Sequence, residues 1–284
     1  MTEFQNILKK YNIKPNKFMG QNFLIDKNIL NKIIKTADIK SNDVILEIGP
    51  GPGMLTIELA KKAKKIVTIE KDKKMCVILQ KILDVKNIKN VEIINTDILK
   101  IFNSQFSIFN KFSITNYKIV ANIPYYLTSP LIRKFLETDN PPSEIILMIQ
   151  KEVAERICAK PPKMSLLSVA VQFYAKPEII ALVSKNCFYP APKIDSAIIK
   201  IIPQANTNYD KSDRKIDTEK FFRLVKTGFS AKRKMLFNNL KSEFQSSNVK
   251  SILKNIGLNP NCRAENLSID VWIKLYTLLF DVDK

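Results

Sequence analysis

Mainly apolar runs about five residues long and rich in Ile and Val recur at 44–48, 66–69, 91–94, 117–121, 145–149 and 197–202, with a further strand expected around 179–183. Runs of this length with at most one polar residue suit strands buried on both faces, as in a parallel sheet covered by helices. Helical spacing lies between them, at 54–60, 150–159 and 165–174. From 217 onward only helical patterning remains, and the first 42 residues also read as helical, with a break at Gly20 within Phe18-Met19-Gly20-Gln21-Asn22-Phe23-Leu24. Residues 204–213 are polar and read as a linker. The pattern predicts an α/β domain over 1–203, with a basic helical N-terminal extension, and a small all-helical domain over 204–284. The run at 197–202 is expected to close the sheet.

Composition narrows the chemistry. The chain contains no histidine, which excludes Ser-His-Asp and Cys-His catalysis and every His-based metal site. Cys76, Cys158, Cys187 and Cys262 are far apart in sequence and form no Cys-x-x-Cys pair, so free thiols in a reducing compartment are expected. No metal is expected. The N-terminal residues lack the apolar core of a signal peptide, and no apolar stretch approaches transmembrane length. A cytoplasmic protein with no membrane partner, and a monomer, is the expectation. The net charge of +19 favours a polyanionic partner such as RNA, although Lys, Asn and Ile are abundant throughout, as a compositional drift would also produce.

Candidate chemistry collects at the exits of the apolar runs. Asn122-Ile123-Pro124-Tyr125 follows one of them. Pro124 holds Ile123 extended, so the Asn122 side-chain oxygen and the Ile123 carbonyl can act as two adjacent acceptors for an exocyclic amine, with Tyr125 beneath the ring that carries it. The same four residues also read as a strand-end turn with a buried tyrosine. Gly49-Pro50-Gly51-Pro52-Gly53 joins a run to a helix and holds half of the six glycines in the chain. Such a turn lets backbone approach a nucleoside. A dinucleotide fingerprint would need Gly where Met54 stands, and no hydride-handling residue is evident, which disfavours an NAD-type oxidoreductase. Glu70 ends the next run about twenty residues on, where an acid commonly holds ribose hydroxyls, and Asp97 follows the third. Each acid alone would more often be a helix cap. In Phe188-Tyr189-Pro190-Ala191-Pro192-Lys193, Phe188 or Tyr189 can face a base opposite Tyr125 or simply cover the core. Residues 220–234 hold six basic residues and no acid, interleaved with Phe221, Phe222 and Phe229, and read equally as an RNA-facing helix or a solvated one.

Together these motifs resemble the ribosomal RNA adenine N6,N6-dimethyltransferases. The likeness is carried by Gly20-Gln21-Asn22-Phe23-Leu24, residues 47–53, Ile69-Glu70, Asp97-Ile98-Leu99 and Asn122-Ile123-Pro124-Tyr125, and is extended by residues 150–156, 188–193 and 195–197. The resemblance implies a Rossmann-like S-adenosylmethionine-dependent domain followed by a helical one. It implies a cofactor site at Asn22, Leu24, Gly49, Glu70, Asp97 and Asn122, with Gly51 and Gly53 from the glycine turn. It also implies a target adenine held by Asn122, Ile123, Pro124 and Tyr125, with Phe188 stacking on it. The small-subunit branch, which dimethylates two adjacent adenines near the 3′ end of 16S rRNA on a ribosomal precursor, is the nearer likeness. The branch acting on large-subunit rRNA and conferring macrolide resistance, and a non-catalytic assembly protein on the same fold, are the alternatives. Tyr126 stands where the family usually has Asn, and Met164-Ser165-Leu166 departs from the usual Tyr-Gly-Arg-Leu-Ser segment.

Overall fold

The computed structural model describes residues 3–16, 19–101, 116–204, 216–244, 246–259 and 261–280. Phe18, and 205–213 of the expected linker, lie outside the described residues. The chain begins with α1 (Glu3–Lys10) and a two-residue strand β1 (Phe23–Leu24). Next comes α2 (Lys27–Ala37), whose first turn is capped by the Asp26 carboxylate, which accepts from the Asn28 and Ile29 N–H groups. The α/β alternation follows as β2 (Val44–Ile48), α3 (Met54–Ala60), β3 (Lys65–Glu70), α4 (Lys73–Val85), β4 (Val91–Asn95), α5 (Ile98–Ile101) and β5 (Tyr117–Asn122). It continues through α6 (Thr128–Leu136), β6 (Glu144–Gln150), α7 (Lys151–Ile157), α8 (Leu166–Tyr174), β7 (Ala175–Val183), β8 (Phe188–Tyr189) and β9 (Ser196–Pro203). The remaining helices are α9 (Thr218–Gly228), α10 (Leu236–Leu240), α11 (Ser246–Asn255) and α12 (Ile269–Phe280).

Seven strands form one sheet in the order β4-β3-β2-β5-β6-β9-β7. The first five are parallel, and β9 runs antiparallel to β6. The run at 197–202 therefore does not close the sheet. It is inserted between β6 and β7, and β7 forms the edge. Ile45, Leu46, Ile66, Val67, Ile119 and Val120 are fully buried, which explains why their runs show no alternation. At the strands' amino ends Lys118 is held by Asp43 (3.0 Å), Glu144 (3.6 Å) and the carbonyls of Ala37 and Asp38 (3.1 Å each). That partly buried network binds the edge opposite the carboxyl ends. α1 and the turn after it add Ile7 and Ile13 to a core shared with Phe23, Ile57, Met75 and Ile78.

The domain boundary differs from a single cut at 203. Residues 1–154 and 178–203 form one compact unit, and 155–177 and 204–284 form a second. The cause is α8: Val169 and Phe173 join the core made by Phe221, Leu224, Leu236, Leu275 and Trp272, with Phe173 stacked on Phe221 at 4.6 Å between ring centroids. Apart from the small strand pieces, the second unit is helical as expected. Phe221 and Phe222 are buried in it, and Phe229 lies against Trp272. Phe221 and Phe222 are therefore core and offer no stacking surface, and Phe229 is partly buried against the same core. Lys226, Lys232, Arg233 and Lys234 are exposed, the last three in the turn after α9 and not on a helix, while Arg223 pairs with Glu243. No helix among the described residues is long and apolar enough to cross a membrane.

Candidate active site

Parallel pairing sets Ile48 beside Ile69, Glu70 beside Asn95 and Asn122 beside Met148, so the exits of the five parallel strands open on one edge. A cleft there encloses about 780 Å³ of space, open solvent at its mouth included. Its walls come from the segment 19–23, the glycine turn, the ends of β3 and β4, and residues 122–127.

The glycine turn needs glycine for two reasons. Gly49, Gly51 and Gly53 all have positive φ (67°, 54° and 87°), a region that L side chains rarely adopt. A Cβ at Gly51 would also come within 2.8 Å of the Phe23 ring, and one at Gly53 within 2.3 Å of Leu79 Cδ1. Beneath the turn, Glu47 on β2 is 1% exposed and accepts a hydrogen bond from Thr56 Oγ1 at 2.6 Å. This bond ties strand to helix across the turn. Burial pushes the Glu47 carboxyl up to about 8; the Thr56 bond opposes that shift and the Glu70 charge adds to it. The folded chain therefore keeps a proton that the unfolded chain sheds above its ordinary value of 4.5. The stability this gives is complete below that value and is lost as pH rises toward about 8. Glu47→Gln should lose this part of the pH dependence. Urea denaturation of both proteins across that window tests the expectation, and parallel pH profiles would refute it.

Glu70 is 8% exposed at the end of β3. Its oxygens accept from the Gly51 N–H (3.2 Å) and the Asp72 N–H (2.8 Å). Burial raises its pKa, and these backbone bonds resist the shift. Each carboxylate oxygen keeps acceptor capacity for a ligand. Asp97 follows β4 and is paired with Lys71 (3.0 Å) and the Leu99 N–H (3.0 Å). Burial works to raise its pKa, but Lys71 and the Leu99 N–H outweigh it and hold the carboxyl below its ordinary value. Asn122 ends β5, and its side-chain NH₂ donates to the Asn22 carbonyl at 3.1 Å. Its oxygen is thereby the remaining acceptor. Among the described residues no hydrogen bond is made to the Ile123 carbonyl. Pro124 (φ −55°, ψ 132°) leads into a single 3₁₀ turn, Tyr125–Leu127. There the half-buried Tyr125 is tethered through its hydroxyl to Ser196 Oγ at 2.7 Å. Burial raises the Tyr125 pKa and the Ser196 bond opposes it, so the phenol is a fixed, neutral ring. Tyr126, 57% exposed, stands at the cleft rim against Gly20.

The cleft thus gathers Asn22, Gly49, Gly51, Glu70, Asp97, Asn122, Ile123, Pro124 and Tyr125. Three expected residues lie elsewhere. Gly53 sits at the start of α3, outside the cleft wall. Leu24 and Phe188 face each other across the β1–β8 pair and are buried together in the core with Leu30 and Ile33. Phe188, 3% exposed, has no face in the cleft; the short strand pairing turns it inward and leaves its neighbour Tyr189 exposed. Gln21, Lys71, Thr96 and Tyr126 line the cleft without having been assigned a part. Their common signal was position, each being adjacent in sequence to a residue that had been singled out. No group of His, Cys, Asp and Glu side chains able to hold a metal occurs among the described residues.

This architecture is that of a Rossmann-like methyltransferase. Among solved structures the chain is similar to a dimethyladenosine transferase from Plasmodium falciparum, with TM-score 0.72 and 30% identity over 89% of this chain and 95% of that one. In fold it also matches the 23S rRNA methyltransferase ErmE, with TM-score 0.73 and 24% identity over 91% and 99% of the two chains. In sequence it is 41% identical over 282 residues to the ribosomal RNA small subunit methyltransferase A of Clostridium botulinum (strain Loch Maree / Type A3), covering 98% of each chain. It is 39% identical to the protein of the same name from Dehalococcoides mccartyi (strain BAV1), covering 97% of this chain and 92% of that one. The profile of the ribosomal RNA adenine dimethylase family matches residues 12–281, and the chain belongs to that family.

Proposed function

We propose that the chain transfers methyl groups from S-adenosylmethionine to the N6 amine of two adjacent adenines near the 3′ end of 16S rRNA, on a precursor of the small ribosomal subunit. Family membership and the small-subunit naming of its relatives support the reading. The observation that carries it is the Asn122 amide: its NH₂ is occupied by the Asn22 carbonyl, so its oxygen is the group left to accept from an amine, beside the Ile123 carbonyl.

The residues fit the cofactor. The turn's backbone is exposed to the cleft at Gly49 and Gly51, Glu70 has acceptor capacity for ribose hydroxyls, and Asp97 stands where an adenine edge can be read. The bound cofactor supplies an electrophilic methyl on a sulfonium. The chain's task is to orient the nucleophile and strengthen it. Asn122 Oδ1 and the Ile123 carbonyl accept the amine's N–H bonds, which favours a tetrahedral nitrogen as the new N–C bond forms. Tyr125 holds the base by its face, and its tether to Ser196 removes rotational freedom in advance. The amine proton departs after the nitrogen has become positive, so no strong base is required and the lack of histidine is no obstacle. The target base must be unstacked to enter.

Mass spectrometry of rRNA after incubation of small-subunit precursors and, in parallel, of 23S rRNA with the protein and labelled S-adenosylmethionine tests the proposal. Label at adjacent dimethyladenosines of 16S rRNA is expected. Label on 23S rRNA alone would instead support the large-subunit reading, and no label would support an assembly role.

RNA contact is proposed for Lys226, Lys232, Arg233 and Lys234. Neutralising the last three should reduce the salt dependence of rRNA binding by about one slope unit per lost phosphate contact, leaving cofactor affinity unchanged. Filter binding across a salt series measures it, and an unchanged slope would assign this charge to solvent.

A further inference from the structure

Residues 19–22 line one wall of the cleft and are held on two sides. On one side the Asn22 carbonyl accepts from Asn122, and Gly20 lies against Pro124 and the Tyr126 ring. On the other side the Gln21 amide makes two short bonds, besides a long one from Nε2 to Met19 Sδ at 4.0 Å. Its Oε1 accepts from the Asn16 N–H at 2.8 Å, and its Nε2 donates to Asp72 Oδ2 at 3.0 Å, across 51 residues of sequence. Asp72 is itself committed. Its other carboxylate oxygen caps α4 by accepting from Lys74 and Met75, and its backbone N–H donates to Glu70 Oε1. The second Glu70 oxygen accepts from Gly51. The bonds therefore run without a gap from Asn16 through Gln21, Asp72 and Glu70 to the glycine turn.

We infer that Gln21 is a positioning residue, a clamp that fixes residues 19–22 to the Glu70 side of the cleft so that the cofactor meets a preformed wall on both sides. The inference rests on the cofactor reading above and deepens it. A glutamine suits the place because one amide is both acceptor and donor, and the bonds to Asn16 and Asp72 need opposite polarity. A carboxylate at 21 would serve Asn16 but oppose Asp72. An amide at 72 would reverse the polarity of the second bond, because its oxygen can keep the α4 cap while its NH₂ donates to a carboxylate at 21.

The test compares the wild type, Gln21→Glu, Asp72→Asn and the double variant. The readouts are backbone hydrogen exchange of residues 19–24 in the protein without ligand, the calorimetric Kd for S-adenosylhomocysteine, and rRNA affinity. Gln21→Glu should speed exchange and weaken S-adenosylhomocysteine binding by about ten- to hundredfold, the worth of a hydrogen bond to a charged group, with rRNA affinity unchanged. Asp72→Asn should do the same in part, and the double variant should recover both exchange protection and affinity. A residue needed only for bulk stability would show additive losses in the double variant. Additive losses, or exchange unaffected by Gln21→Glu, would overturn the clamp. A wild type that binds no S-adenosylhomocysteine while exchange follows the expected pattern would instead overturn the cofactor reading and, with it, the clamp's role toward a cofactor.

Discussion

Replacing Asn122 with Ala is expected to slow methyl transfer by about 10²–10³-fold, the usual effect of removing one pre-organised hydrogen-bonding group. The substitution deletes the acceptor and also frees the Asn22 carbonyl, which accepts from the Asn122 NH₂. Segment 19–22 therefore loosens, and cofactor affinity should fall somewhat. The assay must run at saturating S-adenosylmethionine in single turnover to isolate the chemical step. rRNA affinity should barely change, because phosphate contacts dominate it. The second methyl transfer should suffer at least as much as the first: a monomethylated amine has one N–H left and must turn its methyl away from one acceptor. Dimethyladenosine formed at near wild-type rate would remove the acceptor pair from the mechanism.

The strand exits were legible because a buried parallel strand is a mainly apolar run, so the polar residues that follow it mark the sheet's edge. Glu70, Asp97 and Asn122 were found in this way, and the parallel register brings all three to one edge. Long-range pairing left no such mark. Nothing local in residues 196–203 distinguishes an inserted antiparallel strand from one at the edge. Aromatic residues were ambiguous for a related reason. Phe188 beside Pro-Ala-Pro, and Phe221 and Phe222 between lysines, look alike as platforms or as core. Only tertiary packing, against Leu24 in one case and Phe173 in the other, decides for core. α8 joined the second unit because Phe173 found its partners there, although its sequence neighbours lie in the sheet. Gln21 and Asp72 show the limit most plainly, since two polar side chains 51 residues apart leave no periodicity by which to pair them.

Glu70→Ala should weaken S-adenosylmethionine binding by roughly 1.5–3 kcal/mol for each hydrogen bond the carboxylate makes to the ligand. The structure adds a second consequence. Glu70 is nearly buried and is the acceptor for the Gly51 and Asp72 N–H groups, so the alanine leaves two backbone donors without their partner. The buried Gly51 donor costs about 1–3 kcal/mol when stranded and the part-buried Asp72 donor less, and the variant should unfold at lower denaturant than the wild type. Glu70→Gln separates the two effects. Its single oxygen can serve one backbone donor, so stability should lie between wild type and alanine, while the ligand loses a charged acceptor and affinity should fall nearly as far. Acid gives an independent check. Burial raises the Glu70 pKa, so protonation converts an acceptor into a donor at a higher pH than for an ordinary glutamate. Cofactor affinity of the wild type should decline as pH falls through that raised value, and the Gln variant should show no such decline. Calorimetric titration with S-adenosylhomocysteine across acidic pH, on both proteins, measures it. Equal affinity and parallel pH profiles in a folded Gln variant would remove Glu70 from ligand contact and leave it as a brace of the glycine turn.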